Sequence, residues 1–85
     1  MYIKVLGPGC VNCELVERRI WKVLSELKIP ATVERVTEWG DQSRYRPMAT
    51  PGLVIDERLV SAGWVPDRQE LTWWILRPIM MMPFQ

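Results

Sequence analysis

The sequence predicts a small α/β domain of seven elements in the order β-α-β-α-β-β-α, with a four-stranded mixed sheet flanked by helices. Three observations carry this. A β-branched and aromatic run at Tyr2–Leu6 leads through a glycine turn into a long segment of helical periodicity. Two compact apolar runs, 53–55 and 59–62, lie three residues apart, as the arms of an antiparallel hairpin do. Near the end, Asp67 and Glu70 have the spacing of a capping box.

Each element has a local reason. Tyr2–Leu6 is the first strand, stopped by Gly7, Pro8 and Gly9. The following segment, Val11–Leu27, places Val16, Ile20, Val23, Leu24 and Leu27 on one helical face, and Pro30 stops it. Glu14 and Glu17 sit early and Lys28 late, as the macrodipole prefers. Trp21 falls off the apolar stripe and reads as an exposed flank. Residues 31–36 alternate and form a second strand, which a right-handed crossover sets parallel to the first. A short second helix is expected from about Asp41, ended by Pro47. Thr50-Pro51-Gly52 introduces the strand 53–55, and 56–58 turn into the strand 59–62. The last helix starts near Asp67, carries Leu71, Trp74 and Ile75 as its apolar stripe, and is expected to end near Arg77 because Pro78 follows. Trp39 and Trp64 fall in loops, and Trp73 and Trp74 in that helix, with Trp74 the buried member. Residues 1–77 thus make one domain and 78–85 an apolar, Met-rich tail.

Composition narrows the function classes. Eighty-five residues suffice for one domain with its own core. The chain is 48% apolar and 25% charged with a formal net charge of +1, so it has no basic field for nucleic acid. No stretch reaches the ~18 apolar residues of a membrane span, and Lys4 and the early glycines do not fit a secretory leader. The expected compartment is therefore the cytosol. There, two cysteines point to catalysis or metal rather than to a structural staple.

Both cysteines lie in Gly7-Pro8-Gly9-Cys10-Val11-Asn12-Cys13. A strand feeding a turn feeding a helix puts Cys10 at the helix N-terminus, where unpaired N–H groups and the dipole favour a thiolate. Two intervening residues let the second sulfur attack a disulfide formed at the first. The same spacing also suits a soft metal, so both uses stand at this point.

With this motif, the element order and Thr50-Pro51-Gly52-Leu53 opening the third strand, the chain resembles the small thioredoxin-like and glutaredoxin-like redox proteins of archaea and bacteria. The likeness covers about residues 1–76 and includes the Gly63-Trp64-Val65-Pro66 approach to the last helix. It implies a thiol–disulfide oxidoreductase in which Cys10 attacks and Cys13 resolves, with no cofactor beyond a redox-active Cys10–Cys13 disulfide and no metal. It also implies a cis Thr50–Pro51 bond beside the disulfide, with the Thr50 backbone meeting an extended substrate. Pro8, Gly9, Val11 and Asn12 support the site, and Trp64 borders the groove or packs an edge. The partners implied are disulfide-containing proteins and an upstream thiol reductase. The chain is read as a monomer, with self-association through the tail left open. Three features depart from the larger thioredoxins: no His, no Trp-Cys-Gly-Pro-Cys form, and Lys4 where an acidic residue often stands. The helix dipole favours a lowered Cys10 thiol pKa, and Glu14 close by offsets part of that effect, so the expected fall is moderate.

Two other classes compete. A heavy-metal-associated domain also carries CxxC between a first strand and helix and hands on Cu(I). Pro8 stands where its Met should be, and that pattern ends on a strand. A thioredoxin-like adaptor without catalysis is the third class, against which the two retained cysteines weigh.

Overall fold

The computed structural model describes residues 1–8, 11–37 and 49–80, the last three as backbone only. In chain order these residues form β1 (Tyr2–Leu6), α1 (Val11–Leu27), β2 (Thr32–Val36), β3 (Gly52–Ile55), β4 (Arg58–Ala62) and α2 (Arg68–Met80). The short helix expected from Asp41 falls outside the described residues, as does Trp39.

The four strands form one mixed sheet in the order β2-β1-β3-β4. β1 pairs parallel with β2 from Tyr2↔Thr32 to Leu6↔Val36, and antiparallel with β3 from Ile3↔Ile55 to Leu6↔Gly52. The Gly7 N–H donates to the Val36 carbonyl at 3.0 Å, which carries the first ladder one residue past β1.

Period-two alternation sorts the strand residues onto two faces. Ile3, Val5, Leu53 and Ile55 join Val16, Ile20, Val23 and Leu24 of α1 and Leu71 and Ile75 of α2 in the main core. Both described helices therefore lie against the same face. Leu6, Val36 and Val54 are buried on the opposite face with Leu59 beside them. Polar contacts also tie α1 to α2 and to the loop before it. The Arg19 guanidinium donates to the Pro66 carbonyl at 2.9 Å, and Arg68 meets Glu26 at 2.5 Å.

α1 has the expected bounds, and its end is a Schellman cap. Lys28 takes the left-handed conformation (φ 56°), its N–H reaches the Ser25 carbonyl, and the Ile29 N–H reaches the Leu24 carbonyl. α2 is capped as its sequence predicts. The Glu70 N–H donates to Asp67 Oδ1 at 2.8 Å, and the Asp67 N–H donates to Glu70 Oε1 at 3.2 Å.

Several boundaries differ from expectation. The hairpin turn is two residues, Asp56 and Glu57, rather than three, and Arg58 already belongs to β4. Both turn residues have positive φ (47° and 71°), which a two-residue turn of the right twist demands. Asp56 is held there by a reciprocal pair with β1: its N–H donates to the Tyr2 carbonyl and its carboxylate accepts the Tyr2 N–H, each at 2.8 Å. The second difference is α2, which continues through Pro78 to Met80. Proline forfeits one amide donor but has a helix-compatible φ, and so close to a helix end the loss is one bond. The expected division at residue 77 therefore falls inside the last turn of α2. Last, β2 begins at Thr32, one residue after the expected start, and β3 at Gly52, one residue before its expected start.

β4 carries one irregularity. Leu53 pairs with Ser61 and Val54 with Leu59, so Val60 is the extra residue of a bulge on this edge strand.

Candidate active site

The site lies where β1 ends, α1 begins and the 49–52 segment enters β3. Cys13 occupies the third position of α1, one turn in, on the face that meets the sheet, and it is fully buried. Its thiol sits directly against the Gly7 backbone. A Cβ built on Gly7 would fall 2.2 Å from Cys13 Sγ and 3.8 Å from Thr50 Cβ. Glycine at position 7 is thus a requirement of close approach: the sulfur occupies the space that any side chain there would take.

Thr50–Pro51 is a cis peptide, with Thr50 exposed and Pro51 buried. The Pro51 carbonyl accepts the Gly63 N–H at 2.9 Å. Gly63 has φ 98°, in the region that favours glycine, and its Cα lies close enough to Ala49 that an added Cβ would come within 3.1 Å of Ala49 Cβ. This bond joins the segment carrying Pro51 to the loop before α2.

Trp64 follows at once. It is 46% exposed, its Nε1–H donates to Glu70 Oε2 at 3.3 Å, and its ring lies 6.4 Å from that of Trp74 at a tilt of 57°. Glu70 therefore serves both the α2 cap and Trp64. The indole is held against α2 while about half of the residue faces solvent.

Of the residues singled out from sequence, Cys13 and Thr50 are brought together around Gly7, with the buried Pro51 next to Thr50 in the chain. Pro8, Val11 and Asn12 are exposed at the mouth of the same turn, Val11 at 73%. Gly9 and Cys10 lie outside the described residues. Gly7 and Gly63 were missed as site residues. Gly7 stood in the motif as a turn former, and only the sulfur position reveals its second role. No group of three or more His, Cys, Asp or Glu able to hold a metal occurs among the described residues. No described helix is long and apolar enough to cross a membrane.

Comparison with known proteins agrees with this α/β architecture. A thioredoxin-domain family model matches residues 1–76.

The chain belongs to the thioredoxin-domain family.

A thioredoxin of Methanothermobacter thermautotrophicus is 32% identical over 71 residues, which span 84% of this chain and 92% of that protein. A thioredoxin of Methanocaldococcus jannaschii is 29% identical over 69 residues, spanning 81% of this chain and 79% of that one. The chain is accordingly a small thioredoxin-like protein, one of the oxidoreductases of that family in general terms. Its departures are real all the same. Lys4, in the middle of β1, pairs with Glu57 at 3.3 Å and lies 5.4 Å over the Tyr2 ring. It puts a cation at a strand position where larger thioredoxins often have an acid.

Proposed function

We propose that the protein is a thiol–disulfide oxidoreductase that uses the Cys10-Val11-Asn12-Cys13 motif on disulfide substrates. Cys10 is the attacking sulfur. As a thiolate it displaces one half of a substrate disulfide, so that a Cys10–substrate bond forms while the substrate S–S bond breaks and one thiolate leaves. Cys13 then gives up its proton and attacks the Cys10 sulfur. The internal disulfide forms and the second substrate thiol departs. Two electrons and two protons have passed to the substrate, and an upstream thiol reductase would restore the dithiol. No cofactor or metal enters this cycle.

Cys13 carries the reading. A buried thiol three residues after Cys10 in the chain, locked against a backbone glycine, suits a resolving sulfur: it is shielded from outside reagents yet near its neighbour in sequence. The exposed Thr50 before a cis proline supports an extended substrate pairing with the backbone there. Trp64 would form the side wall of that groove.

Trapping tests the proposal. With a disulfide-bonded protein substrate, Cys13→Ser should accumulate a mixed disulfide through Cys10, whereas Cys10→Ser should accumulate none. A stable adduct through Cys13 in the Cys10→Ser variant, at a rate like that of Cys13→Ser, would reverse the roles and sink the mechanism.

A further inference from the structure

We propose that the groove between β4 and the C-terminal half of α2 binds a small amphipathic organic anion, an aromatic or aliphatic body bearing one carboxylate, sulfonate or phosphate. The groove is about 570 Å³, within the range of small-molecule pockets. Ile55, Leu59, Val60 and Trp74 give it an apolar lining, and Arg58 and Arg77 stand at its rim.

The two arginines set the sign of the ligand. The described residues hold their other close charge pairs as Lys4–Glu57, Arg35–Glu17 and Arg68–Glu26. Neither Arg58 nor Arg77 has an ion-pair partner among the described residues, and both side chains are exposed. A guanidinium is a planar fork suited to carboxylate, sulfonate and phosphate oxygens, and two at one rim favour an anionic head. Asp56 also lines the groove and opposes this, but it is a single carboxylate already accepting the Tyr2 N–H. The rim keeps a net positive charge.

The body of the ligand is set by the lining. Trp74 is held on one side by Trp64, which fixes its ring as a flat wall for an apolar group. An extended peptide adding to the β4 edge fits less well. The bulge at Val60 breaks the regular ladder such a strand would need, and Arg58 guards the edge. A compact ligand has no such requirement.

The groove's arginine rim lies away from the redox site, although its Trp74 wall packs against Trp64. Ile55 lies at the far end of β3 from Pro51, about 13 Å away at ~3.3 Å per residue. The proposal therefore stands apart from the thiol chemistry, and the rim variants at Asp56, Arg58 and Arg77 should leave exchange with a small disulfide unchanged.

The experiment titrates the reduced full chain with 2-naphthalenesulfonate and follows backbone and side-chain N–H signals by NMR. Saturable shifts centred on residues 56–60, the Trp74 indole and the Arg77 guanidinium are expected. The double variant Arg58→Gln/Arg77→Gln should weaken binding by about tenfold or more, the usual scale for lost charge-assisted hydrogen bonds. Asp56→Asn should tighten it, and 2-naphthalenemethanol, the neutral counterpart, should bind more weakly than the sulfonate. Both arginines are exposed, so an unchanged NMR fingerprint and thiol-exchange rate establish that the double variant is folded. Unchanged affinity in that variant, equal binding of the neutral probe, or shifts centred elsewhere would each overturn the proposal. So would an acidic peptide that slows β4 amide exchange while the sulfonate fails to bind.

Discussion

Gly7→Ala is the sharpest structural test of the site. The new Cβ would stand 2.2 Å from Cys13 Sγ, 0.8 Å inside the 3.0 Å that Cβ contacts respect. Its other near neighbours, Cys13 Cβ at 3.7 Å and Thr50 Cβ at 3.8 Å, are in ordinary contact, so the sulfur takes the whole clash. Cys13 is fully buried and has a single side-chain rotor, which leaves the sulfur little room to retreat. Overpacking of this kind costs about 1–3 kcal/mol. For a domain of this size each kcal/mol lowers Tm by about 4–8 °C. The assay is urea denaturation of the reduced protein, where the midpoint should fall at unchanged slope. Cys13→Ala supplies the control, because without Sγ the alanine at position 7 has space. Gly7→Ala should then cost much less in the Cys13→Ala background, with a coupling of at least about 1 kcal/mol between the two sites. An equal cost in both backgrounds would refute the contact between the Gly7 backbone and the thiol.

Other outcomes follow from the same structure. Ser61 is 5% exposed and its hydroxyl has no hydrogen-bond partner among the described residues, so Ser61→Ala should be neutral or stabilise by up to about 1 kcal/mol, read from the urea midpoint. Lys28 holds φ 56° at the α1 cap, and Lys28→Gly should raise stability by about 0.5–1 kcal/mol; a loss instead would show that its side chain matters more than its backbone. If Trp64 walls the substrate groove, Trp64→Ala should raise KM for a protein disulfide by about 5- to 30-fold, the effect of 1–2 kcal/mol. The rate with a small disulfide should then stay the same, whereas a uniform fall in both would mark Trp64 as structural only.

Much of this was legible in the sequence because local and tertiary signals agree. The stripe Val16, Ile20, Val23, Leu24 had one burial solution, and Asp67 with Glu70 capped α2 as their spacing required. The disagreements arose where backbone geometry overrode residue preference. Asp56 and Glu57 adopt left-handed conformations because the hairpin's twist and the Tyr2 bonds hold them, which no glycine announced. Pro78 reads as a stop, yet near the end of a packed helix its penalty is small. At the site, sequence named the cysteines and Thr50-Pro51 but saw Gly7 only as a turn former. Its contact with Cys13 depends on how α1 docks on β1, a long-range fact without a local signature. The Gly63–Pro51 bond is of the same kind.

The central claim is a polarised pair, Cys10 as the attacking thiol and Cys13 as the shielded, resolving one. Cysteine-resolved alkylation tests it most directly: the reduced, metal-free protein receives short pulses of iodoacetamide, and peptide mass spectrometry reads each site. The account predicts that Cys10 reacts at least about tenfold faster than Cys13, whose burial admits reagent only on local opening. Equal rates at the two sulfurs, or a faster Cys13, would contradict it.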